Sequence, residues 1–251
     1  ETFAAERKAA TERMLADAQE KARQAVENVS VGTTPGSIPE KANRSAATVK
    51  ALQEADTRFG TRRGLLNLDH LRVDQGLVPV PVEDAGAAHG WHGNLILVRD
   101  AMVETVHKLV LPGLEPRGAL LADLVVQGRP LRVIAAHLGL LPTSRAAQTR
   151  ALLDRLDTLD RRPTLLMGDM NEWRHSGPSL AQFGRFFTQA PPVRSFPARY
   201  PVLPLDRMMA GAEAELHDLS AHDTPLARRA SDHLPIKARL RVLQDDTPQG
   251  W

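Results

Sequence analysis

Six short polar stretches, each lying against an apolar run, carry the side chains that could do chemistry. Gln53-Glu54 follows Ala51-Leu52, and Gly93-Asn94 opens the run at Leu95. His137 closes Leu131 to Ala136, and Asp169 and Asn171 follow Leu165-Leu166-Met167. Asp206 follows Leu205, and Asp232-His233 precedes Leu234-Pro235-Ile236. Strand ends are where a sheet delivers side chains into a shared cleft. One polar residue there means little, but six such places point to a site assembled from many segments. The side chains are carboxylates, amides and imidazoles. The chain has no cysteine, which removes disulfides, thiolate metal sites and cysteine nucleophiles together. Any metal must be held by Asp, Glu, His, Asn or carbonyl oxygen, a donor set that favours Mg²⁺, with Mn²⁺ or Ca²⁺ as alternatives.

Taken singly, these residues have plainer readings. Asp169-Met170-Asn171 suits a turn, Asp206 a surface position, Asp232 a helix cap, and His137 or His233 a satisfied core histidine. Asp232-His233 runs into Leu-Pro-Ile, however, which reads as a loop entering a strand. His89, Trp91 and His92 read as loop packing beside Gly93, and Trp173 as cover for the core.

The elements that must position these groups are short. Asn94 to Val98, Ala119 to Val126, Leu131 to Ala136, Thr164 to Met167, Leu205 to Met209 and Ile236 to Val242 read as strands, with a hairpin turn at Gln127-Gly128-Arg129-Pro130. Ser144 to Leu159 places Ala147, Leu152, Leu153, Leu156 and Leu159 at helical spacing. Residues 1–27 are rich in Ala, Glu, Lys, Arg and Gln and read as a solvated helix. Thr33 to Pro39 reads as a loop, and Ser37 can cap a helix running on towards Val49. Pro191 to Pro204 reads as an extended loop. Strands with helices between and outside them give an α/β layered sandwich.

The 251 residues suffice for one large domain. A formal charge of +2 and 4% aromatic content leave a nucleic-acid binder the less favoured reading, with few rings for base stacking. No apolar run is long enough to span a bilayer. The sequence opens at Glu1 rather than Met, which leaves a removed leader open; a monomeric, cytoplasmic protein is expected.

Leu52-Gln53-Glu54-Ala55-Asp56, Gly93-Asn94, Ala136-His137-Leu138, Gly168-Asp169-Met170-Asn171, Leu205-Asp206-Arg207 and Ser231-Asp232-His233-Leu234-Pro235 occur in that order. This series resembles the endonuclease/exonuclease/phosphatase family, over about residues 48 to 243. Arg145 and Gln148 also fit the helix that follows the family's His strand. The resemblance implies a four-layer α/β/β/α sandwich of the deoxyribonuclease I-like type. It divides the chain into an N-terminal helical segment at 1–27, the domain at 28–243 and a tail at 244–251. It implies Mg²⁺-dependent hydrolysis of a phosphodiester or phosphomonoester, with nucleic acid among the candidate substrates. Glu54 resembles the metal-binding glutamate, with Asp232 supporting the metal shell. Asp169 resembles the aspartate that orients or deprotonates the attacking water. Asn171 and His233 would bind the phosphate oxygens, Asp206 would orient His233, and His137 would contact the phosphate from the opposite wall. Asn94 would help shape the site. The family pattern opens with a strand carrying an Asn near the metal; Val26 to Gly32 is the candidate for that strand and Asn28 for that ligand. Thr48 to Leu52 is the candidate for the family's second strand, which ends in Gln-Glu, and Lys50 stands there where a buried strand calls for an apolar residue. An alternative therefore follows, a non-catalytic or metal-impaired member that binds phosphate or nucleic acid. Substrate choice is expected to reside in the loops 58–90 and 174–204.

Overall fold

The computed structural model describes residues 47–56, 63–174 and 176–243. Asn28, the helix at 1–27, the loop at 33–39 and the tail at 244–251 lie outside these residues. The strands are β1 (Thr48–Leu52), β2 (Val78–Pro79), β3 (Leu95–Arg99), β4 (Ala101–Leu111), β5 (Arg117–Val126), β6 (Arg129–His137), β7 (Thr164–Asp169), β8 (Phe187–Gln189), β9 (Asp206–Gly211), β10 (Ala214–Ala221) and β11 (Ile236–Val242). The helices are α1 (Leu68–Gln75), α2 (Pro142–Asp157), α3 (Pro178–Phe183) and α4 (Ala227–Ala230).

One six-stranded sheet runs in the order β4-β5-β6-β7-β9-β8. Its β6 and β7 are parallel and joined by α2, while its other pairings are antiparallel. Two smaller sheets, β1-β3-β2 and β10-β11, form the facing layer. The buried runs face both ways, because both sides of the large sheet are covered. In β7, Leu165 and Met167 pack towards the smaller sheets with Ile96, Val98, Ile236 and Leu240. Leu166 points the other way, to Leu152, Leu153, Leu180 and Phe183 of α2 and α3. Beyond the small sheets, Leu71 of α1 packs on Leu95 and Leu97. The layers are thus helix, sheet, sheet and helix. Among the described residues no helix is long and apolar enough to cross a membrane.

Three expectations change. The helix drawn from Ser37 towards Val49 does not reach its end: Thr48 opens β1, paired antiparallel to β3 with Val49 opposite Val98 and Lys50 opposite Leu97. Cross-strand pairing overrides the helical reading, and Lys50, only 5% exposed, is accommodated within the strand. Trp173 is 52% exposed and lies under the Arg174 guanidinium, 5.0 Å from its ring centre, so it does not cover the core. Asn94 is fully buried and donates to the carbonyls of Gly118 (2.9 Å) and Trp91 (3.3 Å), so it fastens β3 to the start of β5 rather than shaping the cleft. The His89, Trp91 and His92 group does pack locally, with one nitrogen of each ring in contact with a backbone carbonyl, those of Leu66, Leu109 and Pro116.

Gly168 is what lets β6 and β7 close. It lies opposite Ala136 at φ 147°, and a Cβ there would collide with the Ala136 carbonyl oxygen. Gly168→Ala is expected to cost about 3 kcal/mol through overpacking and backbone strain. A urea denaturation midpoint equal to the parent's would refute that tight approach.

Candidate active site

The register of three neighbouring strands sets the floor of the site. His137 at the end of β6 lies opposite Asp169 at the end of β7, and Asp169 lies opposite Asp206 at the start of β9. Residues on one rung of adjacent strands point to the same face, here the face that meets the smaller sheets. His137 Nε2 is 3.4 Å from Asp169 Oδ2. The rung opens into a cleft of about 920 Å³, also lined by Glu54, Asn171, Asp232 and His233.

Loops supply the walls. After β7 the chain turns through Asn171 at φ 49°, a left-handed conformation that Asn tolerates. The turn is held because Asn171 N–H donates to Asp169 Oδ1 (2.8 Å) and Asn171 Nδ2 donates to the Leu138 carbonyl (2.8 Å). One amide hydrogen of Asn171 is thereby used, and the other remains for a ligand. Beneath this loop, Arg145 donates to the Leu140 carbonyl (2.5 Å) and Glu172 (3.2 Å), and Arg207 donates to the Glu172 carbonyl (3.3 Å). Gln148 accepts from Gly139 N–H (2.7 Å). The two α2 residues singled out in the sequence thus hold the loops that follow β6 and β7.

From the opposite wall, the segment ahead of β11 brings in Asp232 and His233. Its backbone is fixed by Ala198 N–H to the Asp232 carbonyl (2.6 Å) and by His233 N–H to Ser231 Oγ (3.1 Å). His233 Nδ1 donates to Asp206 Oδ2 at 2.8 Å, and its ring lies 4.7 Å from that of Phe196. Glu54, just past β1 at φ 56°, reaches the cleft from the smaller sheet.

The electrostatics separate the two ends of the rung. Burial pushes the Asp169 carboxyl up to about 6, and the charge of Asp206 adds to this. The Asn171 N–H, His233 and Arg117 act in the opposite direction. For His233, burial opposes the charged ring but is outweighed by the hydrogen bond and charge of Asp206, with Asp169 and Asp232 adding to them, so its value rises to about 9. Near neutral pH the site therefore holds a half-buried cation beside a buried carboxylate that changes state close to that range.

Sequence reasoning did not find Arg117, Glu115 or Arg229. Arg117 and Arg229 line the cleft, and Glu115 grips Arg117 at 2.7 Å. Their positions follow from tertiary meeting, and no local spacing sets them apart.

Metal ligands were expected at Glu54, Asp232 and Asn28. Glu54 and Asp232 line the same cleft, and Asn28 lies outside the described residues. Among the described residues, no three His, Asp or Glu side chains gather closely enough to cage an ion. The donors present are oxygen atoms on an open wall. That set fits a hard divalent ion such as Mg²⁺, which binds through one or two carboxylates and completes its shell with water and substrate phosphate.

The fold is a sandwich of the deoxyribonuclease I-like type. A family model described as the Endonuclease/Exonuclease/phosphatase family matches residues 40–233, and the chain belongs to that family. Its members are phosphoester hydrolases and generally use divalent metals. The uncharacterized protein YbhP of Escherichia coli strain K12 is 34% identical over 163 residues, covering 61% of this chain and 64% of YbhP. The chain thus spans less than two thirds of that curated relative. A mannosyl-6-phosphatase of Bacteroides thetaiotaomicron is similar in fold, with a TM-score of 0.57 at 13% identity over 69% of this chain and 80% of that one. So is D. rerio TDP2 complexed with a single-strand DNA product, with a TM-score of 0.55 at 15% identity over 69% and 81%.

The His233–Asp206 pair makes its own prediction. A raised folded-state value means the pair stabilises the chain fully below about 6.5, and that contribution is lost as pH rises through about 9. Asp206→Asn removes the counter-charge, so the His233 titration followed by NMR should move down towards 6.5. A midpoint still near 9 would show that another group holds the proton.

Proposed function

We propose that the chain hydrolyses a phosphate ester by attack of water at phosphorus, with a divalent metal, preferentially Mg²⁺. The observation that carries this reading is the buried Asp169 standing on one rung with the Asp206–His233 pair. A phosphate in this cleft would meet His233 as a cation and Asn171 and His137 as hydrogen-bond donors. These groups take up the negative charge that grows on the phosphoryl oxygens in the transition state. Asp169 accepts the proton of the attacking water while the new P–O bond forms. Its raised value suits a base working near neutral pH. The ester P–O bond then breaks, and the departing oxygen leaves as an alkoxide or takes a proton from solvent. Glu54 and Asp232 would hold the metal, with Asn28 as a further ligand. When bound, a divalent ion neutralises charge on the transferred group and helps to position it. The leaving group is not dictated by these residues, and neighbours of the same fold include a mannosyl-6-phosphatase and a protein holding a DNA product.

The test is hydrolysis of an aryl phosphodiester and an aryl phosphomonoester with Mg²⁺, repeated on plasmid DNA, RNA, inositol phosphates and phospholipid. Asp169→Ala and His233→Ala should each lower kcat/KM by about 10²–10⁴-fold, and chelator should abolish turnover. The pH profile should be bell-shaped. It rises through about 6 as Asp169 loses its proton and falls through about 9 as His233 loses its own. Activity that survives chelator and both substitutions would overturn the assignment.

A further inference from the structure

The cleft contains two histidines, and the groups facing their Nδ1 atoms differ in sign. His233 turns Nδ1 to the carboxylate of Asp206. His137 instead turns Nδ1 to a guanidinium, with Arg117 Nη1 at 3.0 Å. An arginine side chain only donates hydrogen bonds and does not lose its proton in proteins. A short contact between Arg117 Nη1 and His137 Nδ1 therefore requires Nδ1 to be the acceptor, which leaves the ring proton on Nε2 and the ring neutral. Arg117 is not free to turn away. Its Nε (3.1 Å) and Nη2 (2.7 Å) both donate to Glu115 Oε2, and Glu115 Oε1 accepts from Leu140 N–H at 2.7 Å. The side chains of Arg117 and His137 are 11% and 9% exposed, so the contact is shielded from water.

We infer that Arg117, held by Glu115, is a positioning residue that keeps His137 as the neutral Nε2–H tautomer aimed at Asp169 and the phosphate position. This rests on the phosphoesterase reading above. The value of the arrangement lies in what a second imidazolium would do. A charged His137, 3.4 Å from Asp169, would pair with that carboxylate and weaken it as an acceptor for the water proton. A neutral ring still offers one N–H to a phosphoryl oxygen without taking the charge from Asp169.

The experiment is ¹⁵N-edited NMR of histidine-labelled protein near neutral pH, with the His137 signal assigned by its loss in His137→Gln. The expected pattern is an unprotonated Nδ1 and a protonated Nε2. A His137 protonated on Nδ1, or on both nitrogens, overturns the inference whatever the variants do. Arg117→Ala should introduce the other tautomer or the doubly protonated ring and lower kcat about 10²-fold, with a smaller change in KM. Arg117→Lys, which keeps a donor, should restore the parent tautomer and part of kcat. An Arg117→Ala protein with the parent signature and parent kcat overturns the inference. If Arg117→Ala does not fold, the parent spectrum and Arg117→Lys still decide it. The parent spectrum is recorded without substrate, so it separates the two claims: the expected tautomer with no turnover of any phosphate ester sinks the function and leaves the Arg117 contact standing.

Discussion

The hydrogen-bonded register of β6, β7 and β9 is the constraint on which the site depends. It sets His137, Asp169 and Asp206 on one rung, and strand spacing then fixes their separation at about 5 Å per step. Side-chain alternation makes register all or nothing. A slip of one residue in any of the three strands would turn that strand's functional side chain into the helix-packed layer. The apolar runs resist such a slip because both of their faces are buried. Leu165 and Met167 fit one core and Leu166 the other, so exchanging faces would misfit both. The packing that stabilises the domain is thus also what aligns the polar groups.

Around that rung, charges are arranged to oppose their surroundings. Desolvation alone would neutralise both Asp169 and His233. Asp206 drives them apart in effect, because its charge raises both values, which disfavours ionised Asp169 and favours ionised His233. One carboxylate therefore makes its neighbouring acid a better proton acceptor and its neighbouring imidazole a lasting cation. A second layer of buried charge lies behind it. Arg145, Glu172 and Arg207 tie the loop of Asn171 to α2 and β9, and removing one member of such a set leaves an uncompensated charge. Glu172, only 3% exposed, reads in the sequence as an ordinary residue beside the Asn.

Legibility in the sequence followed the physics of each element. β7 and β11 were readable because a doubly buried run and a clean alternation are strong local signals. α2 was readable from its 3.6-residue spacing. β4, the longest strand, was not, because it lies at the sheet edge with Glu104, His107 and Lys108 along it, and edge positions tolerate charge. β10 was hidden by a register shift between His217 and Ser220 and by Asp218 at φ 54°. Thr48 to Leu52 was a poor strand candidate because of Lys50, and its pairing with β3 makes it β1. The short α1 owes its limits to Asn67 and Gly76, its caps, and not to a strong apolar stripe. The site residues stood out because each sits where an apolar run stops. Arg117 and Glu115 did not, since the meaning of Arg117 lies in a histidine that comes 20 positions later.

The crossover between β6 and β7 has a kinetic consequence. The rung joins residues 137, 169 and 206, and the cleft adds Glu54 from one end of the described chain and His233 from near the other. None of these meetings is local, so loop-closure entropy must be met before any of them forms. Individual helices or hairpins that form early hold no part of a working centre. Competence then arrives only with the long-range pairings that bring these segments together.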